Sequence, residues 1–291
     1  MTNLLIIGCG DIALRTLPLL QSRYRLYALV RDPAKAGVLR KLGVTPIVGD
    51  LDDRRSLTKV AGLADVVLHF APPERQGHID RRTRNLLSAL STRLLPTHFI
   101  YISTSGVYGD CDGDIVSETR PVNPQSDRAR LRVNAERQIR SWATRNHVNA
   151  NILRVPGIIA EDRLPVDRIK AGTCAIVASE DGYSNHIHAD DLARIVIAAL
   201  RYAKPNRVYH TVDDDEMKMG DYFDVVADAF KLQRPPRLPR AEVQRTVSPM
   251  MWSFMNESRR LTNLRMKQEL KVKLLHPNVS DRLAVPSKSK I

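Results

Sequence analysis

Apolar residues in the first 155 positions fall in short blocks separated by amphipathic stretches. The blocks at 4–7, 26–30, 44–48, 66–70, 98–102 and 149–155 are rich in Leu, Ile and Val. Turn residues bound most of them, which predicts buried strands. The stretches between them, 11–22, 34–42, 56–61, 76–95 and 126–145, predict helices. Over 76–95, Ile79, Thr83, Leu86, Leu87, Leu90 and Leu94 recur at helical spacing; over 126–145, Leu131, Ala135, Ile139 and Trp142 do the same. Pro18 stands late in the first helix, where a bend is expected, and Gly43 ends the second. Strands that alternate with helices in this way predict an α/β fold, a doubly wound parallel sheet of the Rossmann type.

Beyond Gly157 the pattern loosens. Helices are expected over 191–203 and 221–232, a strand over 207–212, and a stiff connector at 234–239, where three of six residues are Pro. The expected division is a dinucleotide-binding domain over 1–158, to which the helix and strand near 188–212 return. A smaller C-terminal substrate lobe follows over 159–285, then a frayed basic tail over 286–291.

The first βα junction carries candidate chemistry. Gly8-x-Gly10-x-x-Ala13 lies between the first strand and the first helix. The first Gly permits a tight turn, the second lets backbone approach a pyrophosphate, and a small third residue lets helix and strand pack. The helix N-terminus, with Asp11 and Ile12, then offers amide donors to phosphate. At the end of the second strand, NAD sites place an acid on the ribose hydroxyls, whereas NADP sites place Arg near the 2′-phosphate. Here Arg31 takes that position and Asp32 follows, so NADP is expected, with NAD as the alternative. Asp50-Leu51 after the third strand is placed to meet an adenine; Asp50 reads equally as a helix cap.

Charge sharpens this picture. The 45 Lys and Arg outnumber 32 Asp and Glu, a formal net charge of +13, which favours anionic ligands; the alternative is a solvated basic face. Aromatic residues are 5% of the chain, few for stacking on bases, and no nucleic-acid module is recognisable. No apolar run approaches the ~20 residues of a spanning helix. The start, Met1 to Cys9, has the look of a lipoprotein cleavage box but lacks a basic leader. It reads as a first strand. Cys9, Cys111 and Cys174 are odd in number and without metal-like spacing, which points to a reducing, cytoplasmic compartment. The expected partner is a small-molecule substrate, anionic by the charge argument, with a homodimer allowed for; neither a specific nucleic acid nor a membrane is expected.

Six segments carry a family resemblance: GCGDIA at 8–13, GDLDD at 49–53, LHFAPP at 68–73, YISTSGVYGD at 101–110, ILRVPGI at 152–158 and NHIHADDLA at 185–193. Over roughly residues 3–275 the chain resembles the short-chain dehydrogenase/reductase superfamily. It is similar to the extended or atypical branch related to NAD-dependent epimerase/dehydratases, and within it to the YeeZ-like group. The resemblance implies an NAD(P)-dependent oxidoreductase or epimerase. It also implies cofactor contacts from Phe70, Ala71, Pro72, Arg132 and Pro156.

The family's catalytic set is a Ser or Thr with a Tyr-x-x-x-Lys pair. By position, the hydroxyl falls on Thr104. Aligned between Pro124 and Ala135-Glu136, the Tyr position falls on Arg128 and the Lys position on Arg132, and residues 109–182 contain no Tyr. Arg has no acceptor and does not deprotonate in proteins, so it cannot serve as the base. It can still donate to a ribose or clamp an anion. Tyr108 is the candidate replacement acid/base, with a packed aromatic as the alternative. His186 and His188 are weaker candidates, and Arg154 is expected near the outer substrate region. Asp127, Asp190 and Asp191 read as helix-start acids, and Asp213-Asp214-Asp215-Glu216 as a solvated turn. A non-catalytic NADP(H) sensor that has lost the Tyr/Lys pair is the competing function.

Overall fold

A computed structural model describes residues 1–74 and 76–280. Seven strands form one parallel sheet: β1 (Thr2–Ile7), β2 (Tyr24–Val30), β3 (Thr45–Val48), β4 (Val66–His69), β5 (His98–Thr104), β6 (Asn149–Val155) and β7 (Val208–His210). Their spatial order is β7-β6-β5-β4-β1-β2-β3. The strand order reverses between β1 and β4, and in open α/β sheets such a switch point is where a ligand crevice opens.

Helices cover both faces, which is why the strands read as continuous apolar runs. On one face α1 (Asp11–Leu20) packs beside the long helix Ala189–Tyr202, burying Leu17, Leu20, Ile195 and Val196 against Leu4 and Ile6. On the other, the helices Arg81–Leu90 and Asp127–Asn146 bury Leu86, Leu90, Ile139 and Trp142 against Leu5, Ile7 and Phe99. Pro18 does not end α1, which runs on to Leu20.

Several boundaries differ from the periodic reading. The helix expected over 76–95 is Arg81–Leu90, because Asp80 caps it. The Asp80 carboxylate accepts from the Thr83 amide at 3.2 Å and from the Thr83 hydroxyl at 2.6 Å. The short helix expected at 56–61 is a 3₁₀ turn over Arg54–Val60, capped by Asp53. The helix expected at 221–232 is Met219–Ala229. The Pro-rich connector supplies a strand, Arg237–Leu238, that pairs with Ala175–Ile176.

The C-terminal lobe has its own core around Ile176, Phe223, Val226, Val243 and Met255. A helix at Leu264–Leu270 then returns to the Rossmann part and buries Met266 and Leu270 in the α1-side core. The acidic run at 213–216 is solvated only in part: Asp214 and Glu216 are exposed, while Asp213 and Asp215 turn inward. Asp213 is 4% exposed, its amide donates to the His186 carbonyl, and Asp215 accepts from the Val279 amide at 2.6 Å. Asp191 likewise accepts from the amides of Leu275 and His276, each at 2.8 Å. These carboxylates tie down the segment 275–279. The tail at 286–291 lies outside the described residues.

Candidate functional site

The crevice at the C-terminal ends of β1, β2 and β4 has a volume of about 720 Å³. Its floor is the glycine turn. Gly8 sits at φ +96°, and a Cβ there would stand 2.5 Å from the Ala71 nitrogen. Only glycine tolerates both conditions. The turn is clasped to the segment after β4, since the amides of Phe70 and Ala71 both donate to the Ile7 carbonyl, at 2.7 and 2.9 Å. Gly10 is the N-cap of α1 and no side chain caps it. A Cβ at Gly10 would meet nothing within 4 Å. The first amides of α1 therefore face open crevice, the arrangement that receives a diphosphate. Ala13 is buried beneath.

Asp11 stands on this turn, where its charge would oppose a phosphate. Two cations answer it: Arg15 Nε donates to one carboxylate oxygen at 2.9 Å, and Arg163 Nε lies 3.2 Å from the other. Arg163 and Ile158 line the crevice, whereas Pro156, expected there, is not among its lining residues.

At the β2 end, Arg31, Asp32 and Lys35 line the wall. The Asp32 carboxylate turns toward its own helix and accepts from the Ala34 amide at 2.9 Å. Among the described residues, neither Arg31 nor Lys35 has a carboxylate within 4.0 Å. The Cys9 thiol stands near them. Burial pushes its pKa up to about 11 against the smaller opposing effect of Lys35, so it stays protonated at neutral pH. Asp50 and Leu51 close this end. Asp50 is not the cap of the following turn, a role Asp53 takes; its carboxylate accepts from the Asp52 amide at 3.0 Å. Arg82 reaches in from the helix after β4 and forks Asp52 at 2.8 and 2.7 Å, which holds that carboxyl below its ordinary range.

At the far end, Arg132 is fixed by two neutral acceptors. Its Nη1 donates to the Tyr101 hydroxyl at 2.9 Å and to the Ile102 carbonyl at 2.7 Å. Phe70, Ala71, Pro72 and Ile102 complete that wall. Arg128, one helical turn before Arg132, stands over the Phe254 ring, its Cζ 4.2 Å from the centroid. Thr104 accepts from the Gly106 amide at 3.3 Å and caps the turn Ser105–Tyr108.

The structure does not bring Tyr108 to the crevice. It is 1% exposed and its hydroxyl is enclosed by partners. His210 Nε2 lies at 2.6 Å and Arg154 Nη1 donates to the same oxygen at 2.6 Å. His210 Nδ1 lies 3.1 Å from the Thr262 carbonyl, so Nδ1 carries the proton and Nε2 accepts from Tyr108. Burial, partly opposed by Arg154, raises the Tyr108 pKa to about 12, and burial takes His210 down to about 3. Arg154, expected at an outer substrate region, is buried and forks Glu136 at 3.1 and 2.7 Å, while the Ser103 hydroxyl donates to Glu136 at 2.6 Å. This network ties the sheet to the helix Asp127–Asn146 and to the Thr262 carbonyl.

His186 and His188 are also interior. His186 packs on the Tyr222 ring at 4.2 Å, and burial lowers its pKa to about 4. His188 accepts from the Asp190 amide at 3.2 Å as the cap of its helix. His188, Asp190 and His276 bring ligand-capable atoms within 4.8 Å of one another. Arg15, 2.6 Å from Asp190, sets a positive charge against any cation there.

Sequence reasoning missed Cys9, Lys35, Arg82, Ile102, Ile158 and Arg163. Lys35 had a usable signal, since it stands four positions after Arg31 at the start of a helix. Arg82 and Arg163 had none, because only the fold carries them to the crevice.

A sequence model of the NAD dependent epimerase/dehydratase family matches residues 15–211, beginning just past the glycine turn. The chain belongs to that family. It is 28% identical over 121 residues to a dTDP-glucose 4,6-dehydratase from Mycobacterium tuberculosis, a match that covers 36% of this chain and 36% of that protein's length. Among solved structures, a functionally unknown conserved protein from Silicibacter pomeroyi superposes with a TM-score of 0.81 at 27% identity, covering 97% of each chain. The UDP-glucuronic acid 4-epimerase of Bacillus cereus, solved with NAD, superposes with a TM-score of 0.74 at 19% identity over 97% of this chain and 96% of that one, a likeness of fold. The parallel sheet of this epimerase/dehydratase-family chain is the family's frame. No helix of the described residues is long and apolar enough to cross a membrane.

Proposed function

We propose that this chain binds NADP(H) in the crevice between β1 and β4 and works on a small carbonyl or sugar substrate. The observation that carries the NADP(H) reading is at the end of β2. Arg31 and Lys35 face the crevice without a carboxylate partner, while Asp32 is turned to the Ala34 amide. An acid free to accept from ribose hydroxyls is what an NAD site needs there; two unpaired cations suit a 2′-phosphate. The uncapped α1 amides and the open face of Gly10 suit the diphosphate linker. Arg132 takes the ribose-holding role of the family's Lys.

When bound, the coenzyme supplies the hydride. Arg132, which lines the crevice, would hold the coenzyme's ribose, and Arg128 and Arg132 would act on the substrate by donating hydrogen bonds, since a guanidinium has donors and no acceptor.

A second reading has its own support. Tyr108 is enclosed, and both positions of the Tyr/Lys pair are Arg. On that reading the chain is a non-catalytic NADP(H) sensor. Thermal shift with NADPH and NADH tests the shared premise: NADPH is expected to raise the melting temperature more than NADH at equal concentration. Equal shifts overturn the assignment of Arg31 and Lys35, and no shift from either overturns the dinucleotide site. Consumption of NADPH with a carbonyl panel separates enzyme from sensor.

A further inference from the structure

Most well-placed arginines in this protein have a carboxylate at hand: Arg15 meets Asp190, Arg82 meets Asp52, Arg154 meets Glu136, and Arg237 meets Asp224, at 2.6 to 2.7 Å. Arg128 and Arg132 differ. Among the described residues neither has a carboxylate within 4.0 Å. They stand four residues apart on one helix, where side chains are neighbours and like charges repel. The acid that acts on Arg128 is Glu257, and that carboxylate is engaged by Arg259 at 2.7 Å.

Both guanidiniums are nevertheless held in place. Arg128 stands over the ring of Phe254, which belongs to the C-terminal-lobe helix Pro249–Met255. Phe254 is 46% exposed, so the pair opens to solvent. Arg128 makes no hydrogen bond to a described residue, which leaves its N–H edge free. Arg132 uses Nη1 for the Tyr101 hydroxyl and the Ile102 carbonyl, and its remaining donors are uncommitted. Arg132 lines the crevice, whereas Arg128 stands beyond it toward the lobe.

We infer that Arg128 and Arg132 form a two-guanidinium clamp for an oxyanion of the substrate, a carboxylate or a phosphoryl group, bound beside the coenzyme rather than as part of it. Asp80 acts on Arg132 from beyond contact range, but no carboxylate of a described residue touches either guanidinium, which leaves room for a counter-ion that the ligand brings. A guanidinium with free N–H donors is the fork that matches two oxygens of such a group. The inference deepens the NADP(H) reading and rests on it for the position of the coenzyme. It assigns the two residues that replace the Tyr/Lys pair a task in substrate selection.

The test titrates malonate and, separately, inorganic phosphate into the NADPH-saturated protein by calorimetry, and repeats both with Arg128→Ala and Arg128→Lys. The anion that binds the wild type identifies the group. Arg128→Ala is expected to weaken it at least tenfold and Arg128→Lys by less, because Lys keeps the charge and loses the fork. NADPH affinity is expected to stay within twofold, and the melting temperature shows that the variants fold. Binding of neither anion, or equal anion affinity in Arg128→Ala, overturns the clamp. So does a tenfold loss of NADPH affinity in that variant, which would assign Arg128 to the coenzyme. Should the wild type bind no NADPH, the coenzyme reading fails by itself, and the same titrations on the unliganded protein decide the clamp.

Discussion

The two ends of the crevice are built in different ways. The end at the glycine turn is made of backbone: Gly8 pressed against Ala71, Gly10 open to the crevice, and the uncapped amides of α1. The far end is made of side chains, with Arg132 pinned to Tyr101 and Ile102 and, just beyond the crevice, Arg128 over the Phe254 ring. Backbone recognition depends on φ and on the absence of a Cβ, so a substitution there removes the site. Side-chain recognition can be exchanged without disturbing the sheet. On the proposed function, that difference lets the glycine turn persist while Arg stands where the resemblance expects Tyr and Lys.

Substitutions that act on one end at a time can break the comparison. The largest effect is expected from Gly8→Ala, where a Cβ at φ +96° meets the Ala71 backbone. We expect a loss of at least ~2 kcal/mol of stability together with loss of NADPH binding, read by denaturant melts and coenzyme titration. Retained binding would mean that the glycine turn is not the floor of the site. Next comes the double variant Arg31→Ala/Lys35→Ala. NADPH affinity should fall about tenfold or more, roughly 1.4 kcal/mol, with NADH affinity nearly unchanged; a parallel loss of both coenzymes would remove the 2′-phosphate assignment.

Tyr108→Phe should leave coenzyme binding and any NADPH consumption as they are. It should lower stability by about 1–3 kcal/mol, because the buried Arg154 donor and the His210 acceptor lose their common partner. A collapse of turnover with unchanged stability would return Tyr108 to the chemistry. The smallest effect on binding belongs to Asp213→Asn, which should have none. Burial, with Asp215 adding to it, raises the Asp213 pKa from 3.8 to about 8 in the fold. The folded state therefore holds a proton that the unfolded state gives up, and stability drains away as pH climbs from about 4 to about 8. Asparagine mimics the protonated acid, so the variant should melt higher than wild type at pH 8 and show a flatter profile between pH 5 and 8. An unchanged slope would place Asp213 in water.

Legibility along the chain followed the range of the interaction involved. The strand blocks and the Gly8–Ala13 turn were readable because their signals are local: period, apolar runs and a φ requirement within six residues. The helix expected over 76–95 was read too long, since periodicity carries through Ile79 and Leu94 while the Asp80 cap sets the start. The acidic run at 213–216 read as solvated because its partners, His186 and Val279, lie far away in the sequence. Tyr108 looked available for the same reason: Arg154 and His210 close over it from 46 and 102 residues away.

By itself, the sequence determined that a parallel sheet forms and that its first βα turn is built on glycine, and it puts Arg where the resemblance expects Tyr and Lys. Each of these depends on residue type at short spacing, and a Cβ or a tyrosine hydroxyl is either there or not. Only the tertiary structure decided which charges remain unpaired. Whether Arg31, Lys35, Arg128 and Arg132 meet a carboxylate depends on chain segments brought together from across the fold, and Coulomb interaction answers to distance in space.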